Sequence, residues 1–71
     1  MNYKIGDILV GKDFLTGAAR EYQVTKTTQK SVFFKCVRIG DMSVSGEVQK
    51  ARPDERGELW TKGGVRLNNA A

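Results

Sequence analysis

The sequence predicts an all-β protein, a small five-stranded antiparallel barrel, and two observations carry this prediction. The segment 21–38 contains two alternating runs, rich in β-branched and aromatic residues, around a short polar break, which is typical of a β-hairpin. Elsewhere, 1 proline and 8 glycines separate short alternating runs and do not cluster into a linker. We therefore expect residues 1–71 to form a single domain, ordered over about 3–67, with 68–71 as a frayed tail.

The composition favours a soluble binding protein. The chain has 12 Lys and Arg against 8 Asp and Glu, a net charge of +4, and its basic residues are spread singly along its length. With 1 cysteine and no histidine, the sequence predicts neither an internal disulfide nor a zinc site. No apolar run is long enough for a transmembrane helix or a secretory leader. We expect a cytoplasmic protein that favours anionic partners, without a cofactor, a metal or membrane contact.

The first predicted strand covers about 7–14. Its consecutive apolar residues Ile8, Leu9 and Val10 are typical of a strand that is covered on both faces. Residues 15–20 follow as a loop in which Gly17 supplies a permissive backbone. This loop is too short for more than one helical turn.

The central hairpin allows a prediction of strand register. A loop of only two residues would place the apolar side chains of each strand opposite polar ones. A loop of three residues, 28–30, gives one consistently apolar face. Its cross-strand pairs are Val24 with Phe34, Tyr22 with Cys36, and Thr25 with Phe33. The sequence therefore predicts an odd-length loop or a bulge, with Gln29 or Lys30 in a left-handed conformation.

The second half of the chain predicts two further strand regions. Residues 40–46 form a polar loop, and a fourth strand lies around 47–52. Pro53 and Gly57 then mark a turn, because proline suits the second turn position and glycine accepts a positive φ.

The last predicted element is a tight hairpin around Gly63 and Gly64. This dipeptide suits a two-residue type I′ turn, which pairs Trp60 with Leu67 and favours the core or its rim for the indole. Five short strands joined in this way are typical of an SH3-like barrel. An oligonucleotide-binding-type barrel is the less favoured alternative at this length.

Residues with catalytic potential have simpler structural interpretations. Cys36 is the only soft nucleophile, and alternation places it on the apolar face without a histidine base, so we expect a small core residue. Asp54, Glu55 and Glu58 lie near arginines on a turn without calcium-loop spacing, which indicates a solvated loop. We therefore expect that the protein is not an enzyme.

Phe33 has two interpretations. If Phe34 faces the core, Phe33 projects to the opposite face beside Lys35, and small nucleic-acid-binding modules use such an aromatic residue to stack a base. Alternatively, the strand is shared between two sheets and both of its faces are buried. Val37 and Ile39, on the same side as Phe33, support this second interpretation.

Four short motifs, distributed over most of the chain, bear on its origin. They are Gly6-Asp7-Ile8-Leu9-Val10, Tyr22-Gln23-Val24-Thr25-Lys26, Lys30-Ser31-Val32, and a basic run into Arg52-Pro53-Asp54-Glu55. These motifs resemble small uncharacterised proteins of bacterial phages and mobile elements. The chain departs from that group between the first two strands, where residues 14–17 replace a tryptophan and an aromatic cluster. The resemblance implies an accessory protein that is made in the cytoplasm of a bacterial host cell and acts on a host component, and it implies no catalytic residues.

The leading functional hypothesis is a non-enzymatic module that binds DNA or RNA through a basic face of the barrel. The predicted nucleic-acid-binding residues are Phe33, Lys35, Arg38, Lys50 and Arg52. The second hypothesis is a phage-type accessory protein that binds and modulates or inhibits a host protein, with a homodimer as one form. It would use an exposed strand edge or the face that carries Phe33 and Val37.

Overall fold

A computed structural model describes residues 3–69 as an all-β fold of seven short strands, without a helix in that range. The strands are β1 (Ile8–Lys12), β2 (Ala19–Thr27), β3 (Val32–Ile39), β4 (Met42–Ser43), β5 (Gln49–Ala51), β6 (Leu59–Trp60) and β7 (Arg66–Asn69). All strand pairs are antiparallel, in the order β4-β3-β2-β1-β7-β6, and β5 also pairs with β3. The prediction of an antiparallel all-β fold is confirmed, but the sheet has seven strands instead of five and is not closed. No helix that could cross a membrane occurs in the described range.

The first and last strands lie side by side. Leu9 pairs with Asn69 and Val10 pairs with Asn68, so the end of the chain covers one edge of β1. The prediction that 68–71 forms a frayed tail is therefore wrong for Asn68 and Asn69, which belong to β7. Residues 70–71 lie outside the described range.

One side of the sheet encloses a small core. Its buried members are Leu9, Tyr22, Val24, Val32, Phe34, Leu59 and Leu67. The rings of Tyr22 and Phe34 meet edge to face, with centroids 5.6 Å apart. Cys36 packs against this cluster but is only half-buried, so the predicted core residue lies at the core margin. Strand β1 buries Leu9 while Ile8 and Val10 stay partly exposed, so it is not covered on both faces as predicted.

The central hairpin has the predicted register in its middle and a bulge near its loop. Val24 pairs with Phe34 and Tyr22 pairs with Cys36, as predicted. Thr25 is then an extra residue on β2, and Lys26 takes the predicted place of Thr25 opposite Phe33. The alternative prediction of a bulge is therefore confirmed.

The loop of this hairpin covers residues 28–31, so the predicted three-residue loop is wrong. The Thr28 N–H donates to the Ser31 carbonyl at 2.9 Å, and the Ser31 N–H donates to Thr28 Oγ1 at 3.1 Å. The predicted left-handed Gln29 or Lys30 is also wrong, because no described residue other than glycine has a positive φ. The bulge absorbs the odd residue inside the strand, and the Thr28 hydroxyl helps to close the turn.

Strands β4 and β5 follow the same edge of β3. The sequence assigned 40–46 to a loop, yet Met42 pairs with Ile39 and the Gly46 N–H donates to the Cys36 carbonyl at 3.0 Å. Gly46 lies so close to Cys36 that an added Cβ would be 3.1–3.3 Å from its Cβ, carbonyl oxygen and amide nitrogen. A glycine at this position therefore allows the chain between β4 and β5 to approach β3.

The C-terminal hairpin differs from its prediction by one residue. Leu59 pairs with Leu67 and Trp60 pairs with Arg66, around a loop in which Gly64 has a φ of +86°. This register buries both leucines on one face and places the indole on the other, where Trp60 is 43% exposed. The predicted pairing of Trp60 with Leu67, and its place in the core or rim, are therefore wrong.

The close approach of Gly46 to β3 leads to a stability prediction. We expect Gly46→Ala to lower the free energy of unfolding by about 1–3 kcal/mol, because the new methyl group meets backbone and Cβ atoms that have little room to move. The matched control is Gly63→Ala, whose Cβ would lie 3.9 Å from Thr61 Oγ1 at a residue without a positive φ. We expect this control to change the stability by less than about 0.5 kcal/mol. Urea unfolding followed by far-ultraviolet circular dichroism measures both, and equal stabilities of the two variants would contradict the assigned packing.

Candidate nucleic-acid interface

A row of three side chains crosses the sheet on the face opposite the core. Phe33 on β3 pairs with Lys26 on β2 and with Lys50 on β5. The Lys26 Nζ lies 5.4 Å and the Lys50 Nζ 5.8 Å from the centroid of the Phe33 ring. Both distances are within the range of cation–π attraction. The half-buried ring therefore holds one ammonium group from each neighbouring strand.

A shallow depression adjoins this row at the end of the central hairpin. It has a volume of about 390 Å³ and lies between the loop 28–31 and the end of β5. The residues that line it are Thr28, Gln29, Lys30, Ser31, Lys50 and Arg52. Because Lys50 belongs both to the row and to the depression, the two features form one continuous surface. We call this surface the basic face, with Phe33 and the cations Lys26, Lys30, Lys35, Lys50 and Arg52 as its members.

The predicted site residues are not all brought together. Phe33, Lys50 and Arg52 belong to the basic face, and the half-buried Lys35 lies roughly 7 Å further along β3 on the same side as Phe33. Arg38 lies roughly 16 Å from Phe33 along the strand, beyond a second bulge at Val37. It pairs with Glu21, and its Nε donates to the Gly40 carbonyl at 3.1 Å. Arg38 is thus the one predicted residue that lies apart from the others.

Two cations of the basic face were missed by sequence reasoning. The predicted register has no extra residue at Thr25, so it places Thr25 and not Lys26 opposite Phe33. Lys30 was treated only as a residue of the loop. The sequence did contain a signal for the position of Lys26. The number of residues between Val24 and Phe34 is odd, so a hairpin that pairs these two residues around a loop of even length must contain a bulge.

Within the part of the chain that the structure describes, the cations of the basic face have no carboxylate partners at ion-pair distance. The ion pairs between described side chains are Arg20 with Asp13 at 3.4 Å and Arg66 with Glu58 at 3.5 Å. Neither pair includes a member of the basic face. Positive charge that is not neutralised at close range attracts anions, and the attraction is strongest where several such groups converge.

A second surface lies on the open side of the sheet. It is a groove of about 1070 Å³ between the loop after β1, the segment around β5 and the C-terminal hairpin. Four of its apolar lining residues are exposed large hydrophobic residues: Phe14 79%, Leu15 83%, Val48 56% and Trp60 43%. The Lys62 N–H donates to Gln49 Oε1 at 3.4 Å. This hydrogen bond spans the gap between β5 and the C-terminal hairpin, which are not paired as strands. We call this surface the apolar groove.

The apolar groove is also lined by Tyr22, Arg20 and Cys36. Burial raises the pKa of the Tyr22 hydroxyl, and the neighbouring Cys36 thiol raises it further, while the Arg20 guanidinium opposes the shift. Within residues 3–69, no cluster of three or more His, Cys, Asp or Glu side chains is suited to a metal ion.

Asp54 organises the turn between β5 and β6. Its Oδ1 accepts hydrogen bonds from the Arg56 and Glu58 N–H groups at 2.9 Å, and its Oδ2 accepts one from Trp60 Nε1 at 3.0 Å. The hydrogen bond from Trp60, assisted by those from the backbone, holds the pKa of the Asp54 carboxyl below its ordinary value. Gly57 has a φ of +78°, which confirms its predicted role in the turn.

The contact between Trp60 and Asp54 leads to a prediction about titration. We expect Trp60→Phe to raise the Asp54 pKa toward its ordinary value, because the largest of the interactions that favour the carboxylate is removed. The depressed pKa stabilises the folded state above the ordinary pKa of the group, and this contribution is lost as the pH falls through the folded-state value. Carboxyl-carbon NMR titration measures the change. Leu15→Ala, at another exposed residue of the groove, is the control and should leave the Asp54 pKa in place.

Comparison with protein-family models, with curated proteins and with solved structures finds no match to this chain. The functional interpretation therefore depends on the geometry of the basic face and of the apolar groove. The basic face has the more specific chemistry, since it combines an aromatic ring with cations that lack a described ion pair.

Proposed function

We propose that the protein is a non-enzymatic SH3-like module that binds nucleic acid through the basic face. The observation that carries this proposal is the convergence around Phe33 of cations from β2, β3, β5 and one loop, none of which belongs to an ion pair between described side chains. The strand order supports the SH3-like assignment, because β1 to β4 pair as consecutive neighbours, β6 pairs with β7, and β7 returns to β1.

The chemistry of the basic face suits a phosphate backbone better than an isolated anion. Its cations extend over a row and an adjoining depression, so several phosphates can be neutralised at once. The exposed amide group of Gln29 adds hydrogen-bond capacity beside Lys50. Such a surface contacts the phosphate backbone of a nucleic acid and discriminates little between base sequences.

Salt dependence is the first test of the proposed function. We expect single-stranded DNA or RNA to bind with an affinity that falls linearly with salt concentration on logarithmic axes. Three to five neutralised phosphates give a slope of about −2 to −3.5, at about −0.7 for each phosphate of a single strand. Fluorescence anisotropy with labelled single- and double-stranded DNA and RNA measures the slope. The absence of binding at low salt for all of these probes would reject the proposal.

Charge reversal at Lys50 is the second test. We expect Lys50→Glu to weaken binding by about tenfold or more, because it removes one contact and introduces a repulsive charge within the basic face. Lys12→Glu is the matched control, since it changes the net charge equally. Lys12 pairs with Ala19, and roughly 23 Å of extended strand separate Ala19 from Lys26. Equal losses for the two variants would show that net charge, and not the basic face, determines affinity; circular dichroism confirms that both are folded.

The apolar groove favours a second candidate function, that of an accessory protein which binds a host protein. Its exposed side chains flank the outer edge of β5, which is not paired with β6. An extended segment of a partner, or of a second copy of this chain, could add to such an edge and cover the apolar residues.

Affinity capture from a nuclease-treated bacterial lysate tests this second candidate. We expect a stoichiometric protein that is retained by Lys30→Glu and lost with Leu15→Asp, because Lys30 lines the depression and not the groove, whereas Leu15 is 83% exposed in the groove and its substitution leaves the core intact. Size-exclusion chromatography of the purified protein distinguishes a homodimer. A captured protein that both variants retain equally would argue against the groove.

A further inference from the structure

The surroundings of Phe33 indicate how the basic face recognises its ligand. Strand β3 runs between β2 and β5, so Lys26 and Lys50 approach the Phe33 ring from opposite sides in the sheet. The ammonium groups lie over the ring at 5.4 and 5.8 Å from its centroid. A base that stacked on this ring would have to displace at least one of these cations.

We propose that Phe33 positions Lys26 and Lys50 for phosphate contact instead of stacking a base, so that the basic face binds the nucleic-acid backbone whatever its bases. This inference rests on the proposed nucleic-acid function and specifies its ligand chemistry. Phe33 is accordingly a positioning residue, and the two ammonium groups are the contacting groups.

An aromatic ring is well suited to this role because it orients a cation without neutralising it. A carboxylate in the same place would also hold the lysines, but it would compete directly with the phosphates for the ammonium groups. Lysine side chains lose considerable rotamer freedom when they are fixed, and a ligand that meets them already ordered is spared part of that loss. The absence of a described ion pair at Lys26 or Lys50 agrees with this arrangement.

The bulge at Thr25 brings one of the two lysines to the ring. It shifts the register by one residue, so that Lys26 and not Thr25 lies opposite Phe33. The Thr25 hydroxyl donates to the Phe33 carbonyl at 3.4 Å, which holds the extra residue against β3. On the other side, Lys50 continues into the depression with Lys30 and Arg52, so a backbone that contacts the row can extend toward further cations.

The test compares two probes with the same number of phosphates, an oligothymidylate and an abasic strand. We expect the wild-type protein to bind both with similar affinity. Phe33→Leu, which keeps an apolar side chain and removes the ring, should weaken both by the same factor, about fivefold. Phe33→Tyr, which keeps the ring, should bind both strands as the wild type does.

A spectroscopic readout separates positioning from a merely structural effect. In the free protein, the ring current of Phe33 should shift the ε-methylene proton resonances of Lys26 and Lys50 upfield. This shift should be lost in Phe33→Leu and kept in Phe33→Tyr, while the amide spectrum shows that the fold is intact. The absence of an upfield shift in the wild-type protein, or an upfield shift that persists unchanged in Phe33→Leu, would overturn the assignment of Phe33 as the residue that orients the lysines.

The outcomes distinguish this inference from the function on which it rests. If both probes bind and Phe33→Leu weakens only the oligothymidylate, Phe33 stacks a base and the inference is overturned while the nucleic-acid function stands. If Phe33→Leu binds both probes as well as the wild type does, the ring has no positioning role and the inference is again overturned. If the wild-type protein binds neither probe, nor any nucleic acid at low salt, the proposed function fails together with the inference.

Discussion

The pairing of β3 with three other strands is the constraint on which the rest of the structure depends. Along one edge β3 pairs with β2, and along the other with β4 and then β5. Because successive side chains of a strand point to opposite faces, Phe34 enters the core while Phe33 faces away from it. The same backbone hydrogen bonds that bury Phe34 therefore also bring Lys26 and Lys50 to either side of Phe33.

Two irregularities in the sheet allow β3 to bury Phe34 on one face and to present Phe33 between two lysines on the other. A uniform register would keep Val24 opposite Phe34 but would place a threonine beside the Phe33 ring. The bulge at Thr25 keeps the core pair and places a lysine there instead. On the other edge, Gly46 permits the chain to pass close to Cys36 before β5 brings Lys50 into the row.

The distribution of charge separates two surfaces with different chemistry. On the basic face, cations converge around an aromatic ring without described carboxylate partners, and their mutual repulsion disfavours the folded state slightly. At the apolar groove, by contrast, the Arg20 guanidinium forms an ion pair with Asp13 and the Trp60 indole donates to Asp54, although the buried Arg20 Nε has no hydrogen-bond partner among the described residues. The two proposed functions follow this difference: the basic face would bind an anionic ligand, and the apolar groove would bind an apolar polypeptide segment.

The amino-acid sequence by itself determined the all-β class, the central hairpin with its core pairs, and the location of Phe33 and Lys50 on strands, because these follow from alternation and from β-branched and aromatic content. Only the tertiary structure decided where the odd residue of the hairpin is placed, which residue faces Trp60, and which cations converge. Local patterns do not specify these features, since a bulge and a longer loop satisfy the same alternation and the pairing of β3 with β5 joins distant segments. Arg38 and Lys26 show the difference: the first was predicted at the site and lies apart, whereas the second was overlooked and lies over the ring.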